Sequence, residues 1–181
     1  MRLFFALLFN DKIKDELCSV MKKMEPCCEK GRFTFRENLH LTLVFLGEIS
    51  PVLLPRVQEA MDAVTEKPFS LQIGGLGCFQ QRGGGLYWAG VEHTAPLDRV
   101  YRTLADRMHE AGILQEVRAY RPHLTLVRQA ILKADCDRRA FTVPAMKMEV
   151  DSIHLMRSDR MAGHPVYTTV AVKKLGGGII Q

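Results

Sequence analysis

Hydrophobic and polar positions alternate along several short stretches of the chain, and the clearest of these stretches occurs twice. Residues 40–44 and residues 123–127 both read His-Leu-Thr-Leu-Val, one copy in each half of the sequence. Successive side chains of a β-strand point to opposite faces of the sheet. The pattern therefore predicts two strands, each with leucines on a core face and with a His and a Thr side by side on the other face.

Strict alternation also predicts on which sheet face the neighbours of the first copy lie. It places Val44 on the face of His40 and Thr42, and it places Phe45 with the leucines of the core face. The enrichment in Leu, Thr, Val and Phe, without Gly or Pro inside the phrase, is typical of a strand.

The same rule applied to the second copy places Val127 on the face of His123 and Thr125. Arg128 follows directly and falls on the leucine face. A strand end or a β-bulge would be needed to turn its guanidinium toward His123.

Apolar residues recur with the period of an α-helix in three further stretches. These stretches predict helices over residues 11–24, 51–67 and 96–112. Ser50 and Pro51 are suited to the N-cap and the first position of the second helix. Gly112 is suited to the end of the third.

The remaining apolar and alternating runs predict the other strands, at residues 2–9, 69–73, 86–91, 147–157 and 166–172. Gly74, Gly75 and Gly77 are predicted to end the strand that starts at Phe69, and residues 26–31 are predicted to form a loop. This order of elements indicates an α+β fold and not a Rossmann unit. The repeated phrase, with a helix near each copy, predicts one domain over residues 1–181 whose two related lobes bring the His strands together in a cleft.

Composition and charge narrow the class of protein. The 181 residues, 47% hydrophobic and 25% charged, are typical of a soluble globular domain with a sizeable core. Five cysteines without a C-x-x-C pair favour reduced thiols in a cytoplasmic protein. No apolar run is long enough for a membrane span. The net charge of +5 gives weak support for a polyanionic partner such as RNA.

The duplicated His and Thr residues are the candidate catalytic groups. Imidazole titrates near neutral pH, so two histidines facing one phosphate could act as general acid and general base. A Thr hydroxyl two residues further on can donate a hydrogen bond to a phosphate oxygen. A single strand His would more simply be structural, but the duplication favours catalysis by His40 and His123 with Thr42 and Thr125.

Other candidate sites carry less information. The Arg128 guanidinium suits a phosphate, although a structural role is equally compatible with the spacing. The His and Cys spacings match no metal-binding motif, so no metal is predicted, and no phosphate-binding loop of a nucleoside triphosphate enzyme is present. Four aromatic residues could stack a base or belong to the core: Phe5, Phe79, Tyr87 and Trp88.

Three segments resemble a known family. Residues 37–47 and 121–128 are similar to the two H-x-T-x motifs of the 2H phosphoesterase superfamily, and residues 86–91 resemble its middle hairpin. Within that superfamily the chain looks like the RNA 2′,3′-cyclic phosphodiesterases, which are also named 2′-5′ RNA ligases. The resemblance covers nearly the whole chain.

The resemblance implies an α+β fold of two lobes, with two antiparallel sheets and flanking helices related by a pseudo-two-fold axis around a cleft. It implies hydrolysis of RNA 2′,3′-cyclic phosphate ends to 2′-phosphate ends without a metal or other cofactor. By similarity, His40 would donate a proton and His123 accept one, Thr42 and Thr125 would hold the phosphate, and Arg128 would assist. The same site could run in reverse as a ligase.

Two alternatives remain open from the sequence. One is an enzyme of the same superfamily that acts on another cyclic phosphate or on a 2′-5′ linked nucleotide. The other is a protein that binds RNA ends without catalysis. We expect RNA ends or cyclic nucleotides as the bound partner, no membrane association, a monomer and a cytoplasmic location.

Overall fold

The computed structural model describes residues 1–137 and 141–176, together with the backbone of residues 179–180. In these residues the strands are β1 Arg2–Leu8, β2 Cys28–Phe33, β3 His40–Glu48, β4 Phe69–Gln81, β5 Gly84–Val91, β6 His123–Leu132, β7 Met146–Val150, β8 Ser152–Met161, β9 His164–Lys174 and β10 Ile179–Ile180. The α-helices are α1 Asp11–Met24, α2 Leu54–Asp62 and α3 Ala95–Glu110. Short 3₁₀ helices cover Glu25–Cys27, Arg36–Asn38 and Pro51–Leu53.

The described strands form two sheets of five strands each. One sheet has the order β10-β9-β8-β1-β3 and the other has the order β2-β6-β5-β4-β7. Every pairing in both sheets is antiparallel. The predicted α+β fold with two antiparallel sheets is confirmed, and the two His strands, β3 and β6, belong to different sheets.

Helix α1 has the bounds that its periodicity predicts. The Asn10 side chain accepts a hydrogen bond from the Ile13 backbone N–H at 3.0 Å, which satisfies one of the free donors of the first turn. The apolar stripe is buried along its whole length, through Ile13, Leu17, Val20, Met21 and Met24. The helix therefore packs by the face that the sequence indicates.

Helix α2 is shorter than the predicted helix over residues 51–67. The α-helix begins at Leu54 after a 3₁₀ turn over Pro51–Leu53, and it ends at Asp62. A second proline, Pro55, explains the late start, because proline lacks the N–H of an interior helical position and is tolerated only in the first turn. The side chain of Ser50 makes no capping hydrogen bond.

Two predicted boundaries differ from the structure. Strand β4 does not end at the glycines, and most of the loop predicted over residues 26–31 belongs to strand β2. The pairing of β4 with β5 skips between Ile73 and Leu76, and Gly75 there has a φ of 73°. The glycines thus form a bulge through which the strand continues to Gln81. Strand β2 lies at the edge of its sheet against β6.

The apolar run at residues 147–157 forms two strands instead of the predicted single one. Strand β7 pairs with β4 in one sheet, and β8 pairs with β1 and β9 in the other. Asp151 lies between them and is exposed. The inward apolar positions are Met148 and Val150 in β7, and Ile153 and Leu155 in β8, so the alternation changes phase at Asp151. This change of phase does not say which sheet each strand joins.

One hydrophobic core joins the two sheets and the helices. It includes Leu7 and Leu41 of the first sheet, Leu124 and Leu126 of the second, and Leu17 of α1, all with less than 2% exposed surface. Fully burying a Leu side chain contributes roughly 1.5–3 kcal/mol. Helix α1 contacts β6, and α3 contacts β3, so these two helices each lie against a His strand. Among the described helices, none is long and apolar enough to cross a membrane.

Candidate active site

The first His strand has a bulge that strict alternation does not foresee. The pairing of β3 with β1 skips one residue between Thr42 and Val44. Leu43 and Val44 are consequently both buried, at 3% and 5% exposed, and Phe45 is 48% exposed. The prediction that Val44 shares the face of His40, with Phe45 in the core, is wrong because the bulge reverses the alternation after Thr42.

The second His strand has a bulge at the matching place. The pairing of β6 with β5 skips one residue between Thr125 and Val127. Leu126 and Val127 both point into the core with no exposed surface, and Arg128 is exposed. The placement of Val127 beside His123 is therefore wrong as well. The bulge is the device that could turn Arg128 to the His123 face.

Arg128 does lie on the face of the second His and Thr. Its Nη2 is 3.4 Å from Oγ1 of Thr125. The pKa of the His40 imidazole in the other sheet is lowered mainly by burial, and electrostatic interactions with Arg128 and His123 act in the same direction. The structure thus brings His40, His123 and Arg128 into one electrostatic neighbourhood, although the histidines belong to different sheets.

The imidazole of His40 is fixed at both ring nitrogens. Nδ1 lies 2.6 Å from the Asn38 carbonyl oxygen, which can only accept, so Nδ1 carries a proton and donates. Nε2 lies 2.9 Å from Oγ1 of Thr42. Asn38 is itself buried and donates from Nδ2 to the Pro165 carbonyl at 2.7 Å. The chain segment before β3 therefore sets the orientation of the ring.

His123 is anchored in the same way. Its Nδ1 lies 2.7 Å from the carbonyl oxygen of Arg121, two residues earlier, as Asn38 is two residues before His40. Each ring thus donates from Nδ1 to a backbone carbonyl just before its own strand. Nε2 is therefore the ring nitrogen that can transfer a proton. Within the described part of the chain, no hydrogen bond engages Nε2 of His123.

Burial controls the charge of His40. Desolvation lowers its pKa to about 4, and the charges of Arg128 and His123 act in the same direction, whereas the hydrogen bond to Asn38 opposes them. Part of this burial comes from aromatic neighbours. The Phe4 and Tyr167 rings lie 4.9 Å and 5.2 Å from the imidazole, centroid to centroid. In the free protein His40 is neutral at pH 7.

The four aromatic residues that could stack a base divide into two groups. Phe5 and Tyr87 are buried in the core. Phe79 and Trp88 are half-buried and flank His123, with ring centroids 5.3 Å and 6.2 Å from the imidazole. Only the second pair can contact a ligand at His123.

Three aromatic residues near the site have no motif that marks them in the sequence. Phe4 and Tyr167 pack on His40, as described above. Tyr120 donates its hydroxyl hydrogen to the Thr42 carbonyl at 3.0 Å and stacks on Tyr101 with a centroid distance of 4.4 Å. This bond links the segment before β6 directly to β3. Their contacts arise between distant segments, so spacing along the chain does not reveal them.

The remaining histidines lie in separate surroundings. His93 bonds to Asp98, His109 to the Leu114 carbonyl, and His154 to Ser152. Over the described ranges, no three His, Cys, Asp or Glu side chains cluster in a way that could hold a metal ion. Five cysteines are free thiols.

The family model of the 2′-5′ RNA ligase superfamily matches residues 14–162, which include both His strands. The chain belongs to this superfamily. The expected resemblance is confirmed at the level of the family.

Relatives within the superfamily match along nearly the entire chain. A protein of Archaeoglobus fulgidus named RNA 2′,3′-cyclic phosphodiesterase is 28% identical over 95% of this chain and 99% of its own length. One of the same name from Thermotoga maritima is 26% identical over 100% of this chain and 99% of its own. The crystal structure of E. coli LigT complexed with 3′-AMP superposes with a TM-score of 0.80 at 25% identity, covering 97% of this chain and 98% of LigT.

Proposed function

We propose that this member of the 2′-5′ RNA ligase superfamily is an RNA 2′,3′-cyclic phosphodiesterase. It hydrolyses RNA 2′,3′-cyclic phosphate ends to 2′-phosphate ends without a metal. One observation carries the proposal: two H-x-T strands each hold an imidazole by Nδ1, so both Nε2 atoms remain for proton transfer in one neighbourhood. The names of the relatives support the substrate class.

The reaction needs one proton to be removed and one to be supplied. Water attacks the phosphorus, its proton passes to Nε2 of one histidine, and the bond from phosphorus to O3′ breaks. The other histidine protonates O3′, which leaves a 2′-phosphate and a free 3′-hydroxyl. By likeness to the family, His123 is the proton acceptor and His40 the proton donor.

His40 must gain a proton before it can act as the donor. Its pKa of about 4 in the free protein reflects burial first and then the positive field of nearby groups, Arg128 ahead of His123. An anionic cyclic phosphate bound between these groups offsets that field and raises the pKa of the imidazole. Substrate binding thereby favours the protonated form that the reaction uses.

Thr42 and Thr125 hold the phosphate through their hydroxyl groups, and Arg128 neutralises the charge that develops on its oxygens. Thr42 Oγ1 lies 2.9 Å from Nε2 of His40 and donates to it while the imidazole is neutral; once His40 is protonated, the hydroxyl accepts from Nε2 and its hydrogen is available to a phosphate oxygen. Arg128 Nη2 lies 3.4 Å from Thr125 Oγ1, which places the guanidinium beside the second threonine. A 5′-hydroxyl that replaces water as the nucleophile gives a 2′-5′ linkage, which is the ligase reaction. Abundant water makes hydrolysis the dominant outcome.

The decisive experiment uses a short RNA that ends in a 2′,3′-cyclic phosphate, with product mapping by phosphorus NMR. We expect the wild type to form a 2′-phosphate in the presence of EDTA. His40→Gln and His123→Gln should each lower kcat by about 10²–10⁴-fold, the range that one general acid or base supplies. Full activity in either variant would contradict the two-histidine mechanism.

His109→Gln is the matched control, because His109 is exposed near the C-terminal end of α3 and its ring bonds to the Leu114 carbonyl. It should retain wild-type kcat. Nucleoside 2′,3′-cyclic phosphates, other cyclic phosphates and 2′-5′ linked dinucleotides, tested in parallel, separate the proposed substrate from the alternatives. Tight binding of RNA ends without turnover would instead favour a binding protein.

We further propose that residues 1–181 act as one domain of two lobes, as a monomer in the cytoplasm. The shared core supports the first point. Both histidines come from the same chain, so the site needs no second subunit. The free cysteines are compatible with a reducing compartment.

A further inference from the structure

Arg32, on the edge strand β2, lies directly beside Arg128. The pairing of β2 with β6 places Arg32 opposite Arg128 and Phe33 opposite Val127. Directly opposite residues of an antiparallel pair share a face, with Cα atoms about 5 Å apart. Val127 and Phe33 pack into the core, so Arg32 and Arg128 share the opposite face, which carries His123.

The end of β2 is fastened to the second H-x-T motif. The Thr34 hydroxyl donates to the Thr125 carbonyl at 3.0 Å, and the Thr34 backbone N–H donates to the Leu126 carbonyl at 2.8 Å. Gly31 lies so close to Val127 that an added Cβ would be 2.9 Å from its Cγ2. Arg32, between these two anchored positions, therefore has a backbone fixed relative to Thr125.

Arg32 and Arg128 project from the same sheet face at paired positions, without an internal counter-charge. In the described part of the chain, no carboxylate lies within ion-pair distance of Arg32 or Arg128. By contrast, Arg36 is held by Asp11 at 2.8 Å and by Asp15 at 2.7 Å. Like charges directly opposite each other on a sheet are destabilising. An external anion would relieve this repulsion.

A third basic side chain lies further from the histidines along β2. Lys30 lies two residues before Arg32 on the same strand face and is exposed, whereas Gly31 between them faces the core. Along this face the order is His123, Thr125, Arg128 with Arg32 beside it, and then Lys30. Positive charge thus extends from the proposed phosphate site toward the sheet edge.

We propose that Arg32 binds the phosphodiester that lies 5′ to the terminal nucleotide of an RNA substrate. This inference rests on the proposed function, since it places the terminal cyclic phosphate at the histidines and the preceding phosphate at the Arg32 edge. The ligand class is therefore a single-stranded polynucleotide end, and a nucleoside cyclic monophosphate lacks the group that Arg32 recognises. Arg32 is a specificity residue that distinguishes RNA ends from mononucleotides.

The test compares two substrates in Arg32→Gln: a pentanucleotide that ends in a 2′,3′-cyclic phosphate, and a nucleoside 2′,3′-cyclic monophosphate. We expect kcat/KM for the pentanucleotide to fall roughly three- to tenfold, mainly through KM, while kcat/KM for the monophosphate stays within twofold. Arg32→Lys should recover part of the loss. Arg128→Gln should impair both substrates.

A binding measurement tests the role of Arg32 without relying on turnover. Affinities are measured for a pentanucleotide that ends in a 3′-phosphate and for a nucleoside 3′-monophosphate, over a range of salt concentrations. Loss of one phosphate contact should make the log–log salt slope for the pentanucleotide shallower by about 0.7 in Arg32→Gln. If neither cyclic substrate turns over, the proposed function fails, and this arm still tests Arg32.

Arg107→Gln is the matched control, because Arg107 is an exposed arginine on α3 that pairs with Glu110 at 3.3 Å. It should change neither affinity nor salt slope. An equal loss on both ligands in Arg32→Gln would overturn the proposal, since Arg32 would then serve the reacting phosphate. An unchanged pentanucleotide affinity and slope would overturn it too.

Discussion

At the scale of the residue, the two histidines share an anchor and differ in burial. Each donates from Nδ1 to the carbonyl of the residue two positions earlier. His40 is also enclosed by the rings of Phe4 and Tyr167, and this burial lowers its pKa to about 4. The free protein thus keeps His40 neutral through burial and the nearby charge of Arg128, and we expect the anionic substrate to raise the pKa of His40.

The lowered pKa of His40 predicts a pH dependence of stability. Between pH 7 and pH 5 the unfolded chain protonates this imidazole at its ordinary pKa of 6.5, while the folded protein does not until about pH 4. The free energy of unfolding should therefore fall by about 2 kcal/mol over this window from His40 alone. Urea titrations at pH 5 and pH 7 measure the effect.

His40→Gln provides the comparison for this titration. Gln does not titrate, so the variant should lose about 2 kcal/mol less than the wild type between the two pH values. All other titrating groups are common to both proteins. Identical pH dependence in the two proteins would show that His40 is not held neutral by the fold.

Thr125 allows the role of a hydroxyl to be separated from packing. Thr125→Val keeps the shape but loses the donor, and we expect kcat/KM for a cyclic phosphate end to fall roughly 10–100-fold. Thr125→Ser keeps the hydroxyl and should stay near the wild type. Steady-state rates of both variants test whether the Thr125 hydroxyl contributes to catalysis. Equal activity of the Val and Ser variants would show that it does not.

At the scale of the element, irregularities in the strands place the site. Bulges in β3 and β6 bury two consecutive residues each and then return the next side chain to the His face. In β6 that side chain is Arg128. In β3 it is Phe45, whose ring lies 4.9 Å from the guanidinium carbon of Arg2. A β-bulge thus places a cation on the His face of β6 and an aromatic ring on the His face of β3.

Gly77 on β4 shows how a glycine positions a ring beside the site. A Cβ built there would lie 2.1–2.5 Å from atoms of the Trp88 indole. Gly77→Ala should therefore displace the ring that flanks His123 and destabilise the protein by about 1–3 kcal/mol. Trp88 is the only tryptophan of the sequence, so its fluorescence emission reports the displacement directly.

Gly75→Asn is the matched control on the same strand. Gly75 has a φ of 73°, which Asn tolerates, and its added Cβ would meet nothing within 4 Å. The emission maximum should stay at the wild-type value in this variant. A shift of equal size in both variants would mean that the ring responds to strand distortion and not to the clash.

At the scale of the whole molecule, contacts between sheets hold the two His strands together. Helix α1 contacts β6, helix α3 contacts β3, and one core extends through both sheets. Tyr120 adds a direct link, since its hydroxyl donates to the Thr42 carbonyl. Burial raises the pKa of this phenol, so it remains protonated and able to donate.

The shared core predicts that the chain unfolds as a unit. Trp88 fluorescence, which reports on one sheet, and far-ultraviolet circular dichroism, which reports on the whole chain, should give one urea midpoint. Tyr120→Phe should lower the free energy of unfolding by about 1–2 kcal/mol, because the hydrogen bond to β3 is lost. Separate midpoints for the two probes would contradict the prediction of a single domain.

Local sequence patterns are sufficient to predict most elements and the candidate chemical groups. Periodicity defined α1 to the residue, and the repeated phrase singled out His40, Thr42, His123 and Thr125, because alternation and helical spacing are properties of neighbours along the chain. The same local rules misassigned Val44, Phe45 and Val127, since a bulge depends on the register with a partner strand.

Which of these groups come into contact depends on the packing of distant segments. This packing set the orientation of Arg128 through the bulge, split residues 147–157 between two sheets, brought β2 beside the second motif, and surrounded His40 with Phe4 and Tyr167. These outcomes depend on contacts between segments far apart in sequence, which no local pattern encodes. The sequence thus supplied the two imidazoles, and the packing of two sheets gave them different surroundings and one common neighbourhood.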